Sequence, residues 1–123
     1  MTDDDDRVFH LAEEDVWAAA FATGEYRGST LGRSLEEVGF VHLCYVGQLR
    51  GVADAFYQGR RGIMLLVIDP SRLEAVLAEE PAPETGELFP HLYGALPVAA
   101  VVAAQPVGLL EDGRLDLAAL LGT

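Results

Sequence analysis

Lysine does not occur in this sequence of 123 residues, cysteine occurs once, at Cys44, and long apolar runs are missing. Each absence excludes something. Without lysine there is no Schiff-base chemistry, no Walker-type phosphate loop and no Ser–Lys dyad. A single cysteine cannot form an internal disulfide, so a reducing, cytoplasmic setting is the expectation. The longest apolar stretch, 95–107, is interrupted by Pro97 and Pro106 and falls short of the roughly 18 residues that a membrane helix needs. The first residues are acidic rather than basic, unlike an ordinary secretory signal. No membrane partner is expected.

Positive charge is scarce as well. The formal net charge is −12, and removing the four carboxylates of the run Asp3 to Asp6 still leaves −8. Such a surface repels phosphate backbones at long range, which makes nucleic acid an unfavourable partner and leaves a small molecule or a single nucleotide as the expected ligand. The acidic run at 1–6 reads as a disordered tail, and 7–123 as one domain. Half of the residues are apolar, enough for a core without disulfides or a structural metal.

Periodicity gives an α+β chain of mainly antiparallel strands with two or three short helices. A strand is expected at 7–12, followed by a helix opened by Glu13, Glu14 and Asp15 and closed by Gly24. Residues 25–38 read as a loop with one helical turn, 39–44 as a strand, and 48–57 as an amphipathic helix. The run Ile63-Met64-Leu65-Leu66-Val67-Ile68 is apolar on both faces and predicts a central strand. A weaker strand follows at 75–80, then a loop at 80–87. Phe89-Pro90-His91-Leu92-Tyr93-Gly94 reads as an ordered loop because of its turn residues. The pattern closes with a strand at 98–107 and a weak element at 115–121.

Three histidines carry the chemistry that the sequence offers. His10, His42 and His91 each stand beside aromatic or apolar neighbours, where an imidazole either satisfies a backbone carbonyl in the core or lines a cleft and titrates near neutrality. A three-histidine metal site, as in a metal-dependent hydrolase, is an alternative, although no pair has the i, i+2 or i, i+4 spacing of a local chelate, and no metal is assigned. Cys44, two residues after His42, is either packing or a nucleophile. Ser29, Thr30 and Ser34 are either turn residues or anion-binding hydroxyls. Tyr57 and Tyr93 either fill the core or stack on a flat ring. Glu87 is the carboxylate nearest His91 in the sequence.

These segments, in order, resemble a bacterial family known as domain of unknown function 952. The resemblance rests on Phe9-His10-Leu11-Ala12, Trp17, Tyr26, Ser29, Leu31 and Gly39-Phe40-Val41-His42-Leu43-Cys44. It continues through Tyr57, Ile68-Asp69-Pro70, Leu73, Glu80 and Gly86-Glu87-Leu88-Phe89-Pro90-His91-Leu92-Tyr93-Gly94-Ala95-Leu96, covering 7 to about 107. It implies a fold similar to the ADP-ribosyltransferases and NAD as a possible cofactor. On that analogy His10 would contact a ribose, Tyr57 would stack on nicotinamide, and His91 or Glu87 would supply the late polar group, while Ser29 and Tyr93 join His10 and Tyr57 as cofactor-binding candidates. His42 would add a second imidazole to the catalytic set. Two features depart from the analogy: Glu87 precedes the Phe-Pro-His motif in a loop, and the arginines of the tRNA-processing members have no evident match. The other reading, from a different class, is a non-catalytic module that binds a small metabolite in the same cleft.

Overall fold

The computed structural model describes residues 7–121, so the acidic tail at 1–6 lies outside the described residues. β1 (Val8–Glu13) leads directly into α1 (Glu14–Thr23). Glu14 and Asp15 occupy the first helical turn, where unpaired backbone N–H groups favour negative charge. Gly24, at φ 81°, ends the helix in the left-handed conformation and donates its N–H to the Ala20 carbonyl.

The apolar run at 63–68 is central, as its two-sided pattern predicts. β6 (Ile63–Ile68) lies between β1 and β10 (Val101–Val107), antiparallel to both. Because successive side chains alternate across a strand, Met64, Leu66 and Ile68 pack with Val8, Ala12, Trp17 and Tyr26 on one face. Ile63, Leu65 and Val67 pack with Phe9, Leu11, Ala53 and Tyr57 on the other. The expected strand at 98–107 begins three residues late, since Val98–Ala100 form a 3-10 turn whose last carbonyl accepts from the Asp69 N–H.

A second three-stranded sheet has the order β5-β8-β7, from β5 (Val41–His42), β7 (Val76–Pro81) and β8 (Leu88–Tyr93). β8 corrects the expectation of a loop at 89–94. The Pro90 carbonyl accepts from the Leu43 N–H at 3.1 Å, so the N–H that proline lacks would lie on that side, past the end of the two-residue β5. The pairing with β7 therefore runs uninterrupted from Val76↔Tyr93 to Pro81↔Leu88.

Residues 25–38 are more regular than a loop. β2 (Glu25–Tyr26) pairs with β9 (Leu96–Pro97), and β3 (Gly28–Thr30) pairs with β4 (Arg33–Ser34). Ser34 then caps α2 (Leu35–Val38) in a reciprocal box with Glu37. α3 (Leu49–Phe56) and α4 (Ala118–Leu121) complete an α+β arrangement in which every strand pair among the described residues is antiparallel. No described helix is long and apolar enough to cross a membrane.

The two large sheets share a core, in which Val41 and Leu92 pack with Val8 and Leu66, and a backbone bridge links them. Phe9 of β1 and Cys44, just beyond β5, exchange both backbone hydrogen bonds at 2.8 Å. That seam brings His10, His42 and His91 into one region.

Candidate functional site

A cavity of about 780 Å³ opens beside this seam, and all three histidines line it. Its walls are otherwise mostly apolar, with Phe40, Phe56, Tyr57 and Phe89 as the aromatic members and Glu80 and Glu84 as the carboxylates. Mostly apolar concavities with a few convergent polar groups are the usual form of small-molecule sites.

His10 is saturated. Its Nδ1 lies 2.5 Å from the His42 carbonyl oxygen and its Nε2 lies 2.8 Å from the Tyr26 hydroxyl. A carbonyl only accepts, so Nδ1 carries the proton, and Nε2 accepts from Tyr26. Burial pushes the His10 pKa down to about 4, so the ring is neutral at pH 7. Gly28 makes the pairing with Tyr26 feasible, because a Cβ at position 28 would overlap the Tyr26 phenol. A ligand could hydrogen-bond His10 only by displacing one of these two partners.

His42 and His91 are different. They face each other across the β5–β8 pair, with ring centroids 4.9 Å apart and the planes nearly perpendicular. Phe40, two residues before His42 and hence on the same side of the chain, stacks on His91 at 4.0 Å and 17°. The phenyl also meets the His42 edge at 4.7 Å. Burial, and secondarily the neighbouring His91, holds the His42 pKa down at about 4. Among the described residues no hydrogen bond engages the His42 ring, which leaves both of its nitrogens for a ligand.

His91 Nδ1 lies 2.7 Å from Glu80 Oε1. The Tyr93 hydroxyl donates to the same oxygen, and these two bonds, Tyr93 first, hold the Glu80 carboxyl below its ordinary range. An ionised carboxylate fixes the proton of a neutral His91 on Nδ1 and leaves the Nε2 lone pair as the base. An imidazole oriented by a carboxylate is a common proton-transfer device.

The carboxylate at the histidines is therefore Glu80, and Glu87 stands elsewhere. Glu87 accepts from the Gln48 side chain at 3.1 Å and does not line the cavity. Ser29 is fully buried and donates to the Phe40 carbonyl at 2.5 Å, so it pins the Phe40 backbone rather than lining the wall. Tyr57 lines the cavity, but its hydroxyl donates to the Leu11 carbonyl at 3.1 Å. Tyr93 sits outside the wall, 5.3 Å from the Phe40 ring, and acts on the site through Glu80. Burial pushes the Cys44 thiol up to about 12, which keeps it protonated and a poor nucleophile. Among the described residues no group of three or more His, Cys, Asp or Glu side chains is placed to hold a metal ion.

Phe40, Glu80 and the Tyr26 partner of His10 are the site residues that sequence reasoning passes over. Phe40 and His42 share the i, i+2 spacing of a strand face, which is a usable signal. Glu80 ends the alternating series Val76, Ala78, Glu80 on β7, and β7 becomes informative only once β8 is known to be its neighbour.

No curated protein matches this chain. An X-ray crystal structure of protein CC0527 from Caulobacter crescentus is similar over 95% of this chain and 99% of that one, at 28% identity and a TM-score of 0.83. The solution NMR structure of CC0527 is similar over 93% of this chain and 95% of that one, at 28% identity and a TM-score of 0.77. The family described as protein of unknown function DUF952 matches residues 11–104, from within β1 to the middle of β10. The chain belongs to DUF952.

Proposed function

We propose that the cavity binds a small organic molecule carrying a flat ring, and that the His91–Glu80 pair transfers a proton to or from it. The observation that carries this reading is the pairing of His91 Nδ1 with Glu80 on the wall of a cavity of about 780 Å³, where Nε2 keeps no protein partner among the described residues. Phe40 and His42 line the cavity and supply aromatic surface against which a planar group can pack.

The resemblance to ADP-ribosyltransferases gives this reading a particular form, with NAD as the ligand. The nicotinamide riboside half, a flat pyridinium cation on a neutral sugar, suits the phenyl, imidazole and carboxylate walls, and the anionic diphosphate half would stay outside them. Cleavage of the nicotinamide–ribose bond passes through an oxocarbenium-like state, and hydrogen bonds to ribose hydroxyls that strengthen there lower the barrier. His42 and His91 are better placed to make those bonds than His10, whose nitrogens are already taken.

A binding module without turnover is the second reading. The composition of the wall favours it, since most of the lining side chains are apolar and can hold a ligand without taking part in proton transfer.

Titrating the protein with NAD, ADP-ribose and nicotinamide while following the imidazole and amide NMR signals tests the proposal. Shifts concentrated on Phe40, His42 and His91 are expected. Silence at these residues with all three ligands would overturn the NAD form. If NAD binds, release of nicotinamide that disappears in Glu80→Gln marks an enzyme, and binding without release marks a module.

A further inference from the structure

We propose that the cavity selects an organic cation with an apolar or aromatic body, such as a ring bearing a quaternary ammonium group, over neutral and anionic molecules of the same shape. The inference rests on the reading of the cavity as a ligand site and adds the charge class of its occupant.

The wall's charge points this way. Its fixed charges are the carboxylates Glu80 and Glu84, and none of the described residues lining it is an arginine. The chain has no lysine to supply the missing cation. Five of the eight arginines pair with carboxylates in other places, Arg7 and Arg72 with Asp69, Arg27 with Glu25 and Glu36, Arg50 with Asp54 and Arg114 with Asp112, and Arg33, Arg60 and Arg61 do not line the cavity. An anion entering the cavity would lose hydration beside two carboxylates without gaining a counter-charge. A bulky organic cation is weakly hydrated, so it loses less on entry and meets those carboxylates favourably.

The wall's rings point the same way. Phe40, Phe56 and Phe89 line the cavity, and a cation that settles over the negative face of a phenyl ring is attracted to it. His42, kept neutral by burial, adds a lone pair and no repulsion. At longer range the acidic surface of the chain raises the local concentration of cations and lowers that of anions.

Three probes with one ring and three charges test the inference: benzyltrimethylammonium, benzyl alcohol and benzoate. Binding to the full chain is measured by NMR titration at low and at physiological salt. The cation is expected to bind about tenfold more tightly than the alcohol, with benzoate weakest, and to shift Phe40, His42 and His91. Glu84→Gln, on an exposed loop, is expected to reduce the cation's advantage over the alcohol about threefold, and an advantage that stays the same removes Glu84 as a source of the selectivity. Equal or tighter binding of the alcohol or benzoate overturns the inference and leaves the ligand-site reading intact. Cation shifts confined to surface carboxylates away from Phe40 and His42 overturn it too. Silence from all three probes at these residues overturns the ligand-site reading together with the inference.

Discussion

On β1, packed against a core cluster on each face and reaching the cavity wall at His10 and Leu11, His10 gives one ring nitrogen to Tyr26 and the other to the His42 carbonyl. On β8, where one face meets the core and the other meets the cavity, His91 gives one nitrogen to Glu80 and keeps the other. Both rings sit beside aromatic neighbours and both are less than a tenth exposed. Burial therefore does not distinguish them; the number of partners does. A saturated imidazole ties two strands and a tyrosine together, whereas a half-saturated one beside a carboxylate keeps a nitrogen for chemistry. The comparison can be broken at either end, and the expected effects differ in kind.

The largest effect is expected for His10→Ala. It leaves the Tyr26 hydroxyl and the His42 carbonyl without their buried partner and opens a void, at a cost of about 4 kcal/mol in unfolding free energy. Urea denaturation measures it, and a loss below about 1 kcal/mol would remove His10 from its structural role.

Acid should act through the same residue. The unfolded imidazole takes up a proton near 6.5, whereas the folded ring resists until about 4, so protons in that interval favour the unfolded chain. Stability is complete above the unfolded value and falls as pH drops toward the folded one, by about 3 kcal/mol for this ring. His42 and Glu80 act in the same direction: His42 has its pKa lowered by burial, and Glu80 loses its stabilising contribution as pH falls through its depressed value. His10→Gln, which does not titrate, should flatten the slope measured by denaturation at a series of pH values.

Gly28→Ala is expected to be next. A methyl group at that position drives the Tyr26 phenol away from His10 and costs about 2 kcal/mol, with the loss reduced when Tyr26 is also replaced by Phe. An additive result from the double variant would show that Gly28 serves something other than the Tyr26–His10 pair.

The smallest effect on stability, and the largest on the site, belongs to Glu80→Gln. The carboxylate is partly exposed, so unfolding free energy should change little. Affinity for the ligand, or turnover, should fall about tenfold, because glutamine accepts the hydrogen bond but does not stabilise a protonated His91. If stability drops sharply and ligand response is unchanged, His91 and His10 have the same role and the comparison fails.

Much of the frame was legible from residue patterns. The run from Ile63 to Ile68 announced the central strand, and Gly24 marked the end of the first helix. The three histidines stood out by their apolar surroundings, and they do line one cavity. Their roles were not legible, because each is decided by a partner distant in the chain: Tyr26 for His10 and Glu80 for His91. Glu87 drew attention through proximity in sequence, but a strand places its alternate residues on one face, and Glu80 reaches His91 from the next strand. The Phe-Pro-His segment looked like a loop because proline opposes strand pairing, and only the shortness of β5 shows why it is tolerated.

The measurement that tests this account most directly is long-range nitrogen–proton NMR of the three imidazoles across pH, with and without a ring-bearing ligand. The account predicts that His10 stays a single neutral tautomer with its proton on Nδ1 until about pH 4 and ignores the ligand, while His42 and His91 respond to it. A His10 ring that titrates near its ordinary value, or that shifts with the ligand as strongly as His91, would contradict it.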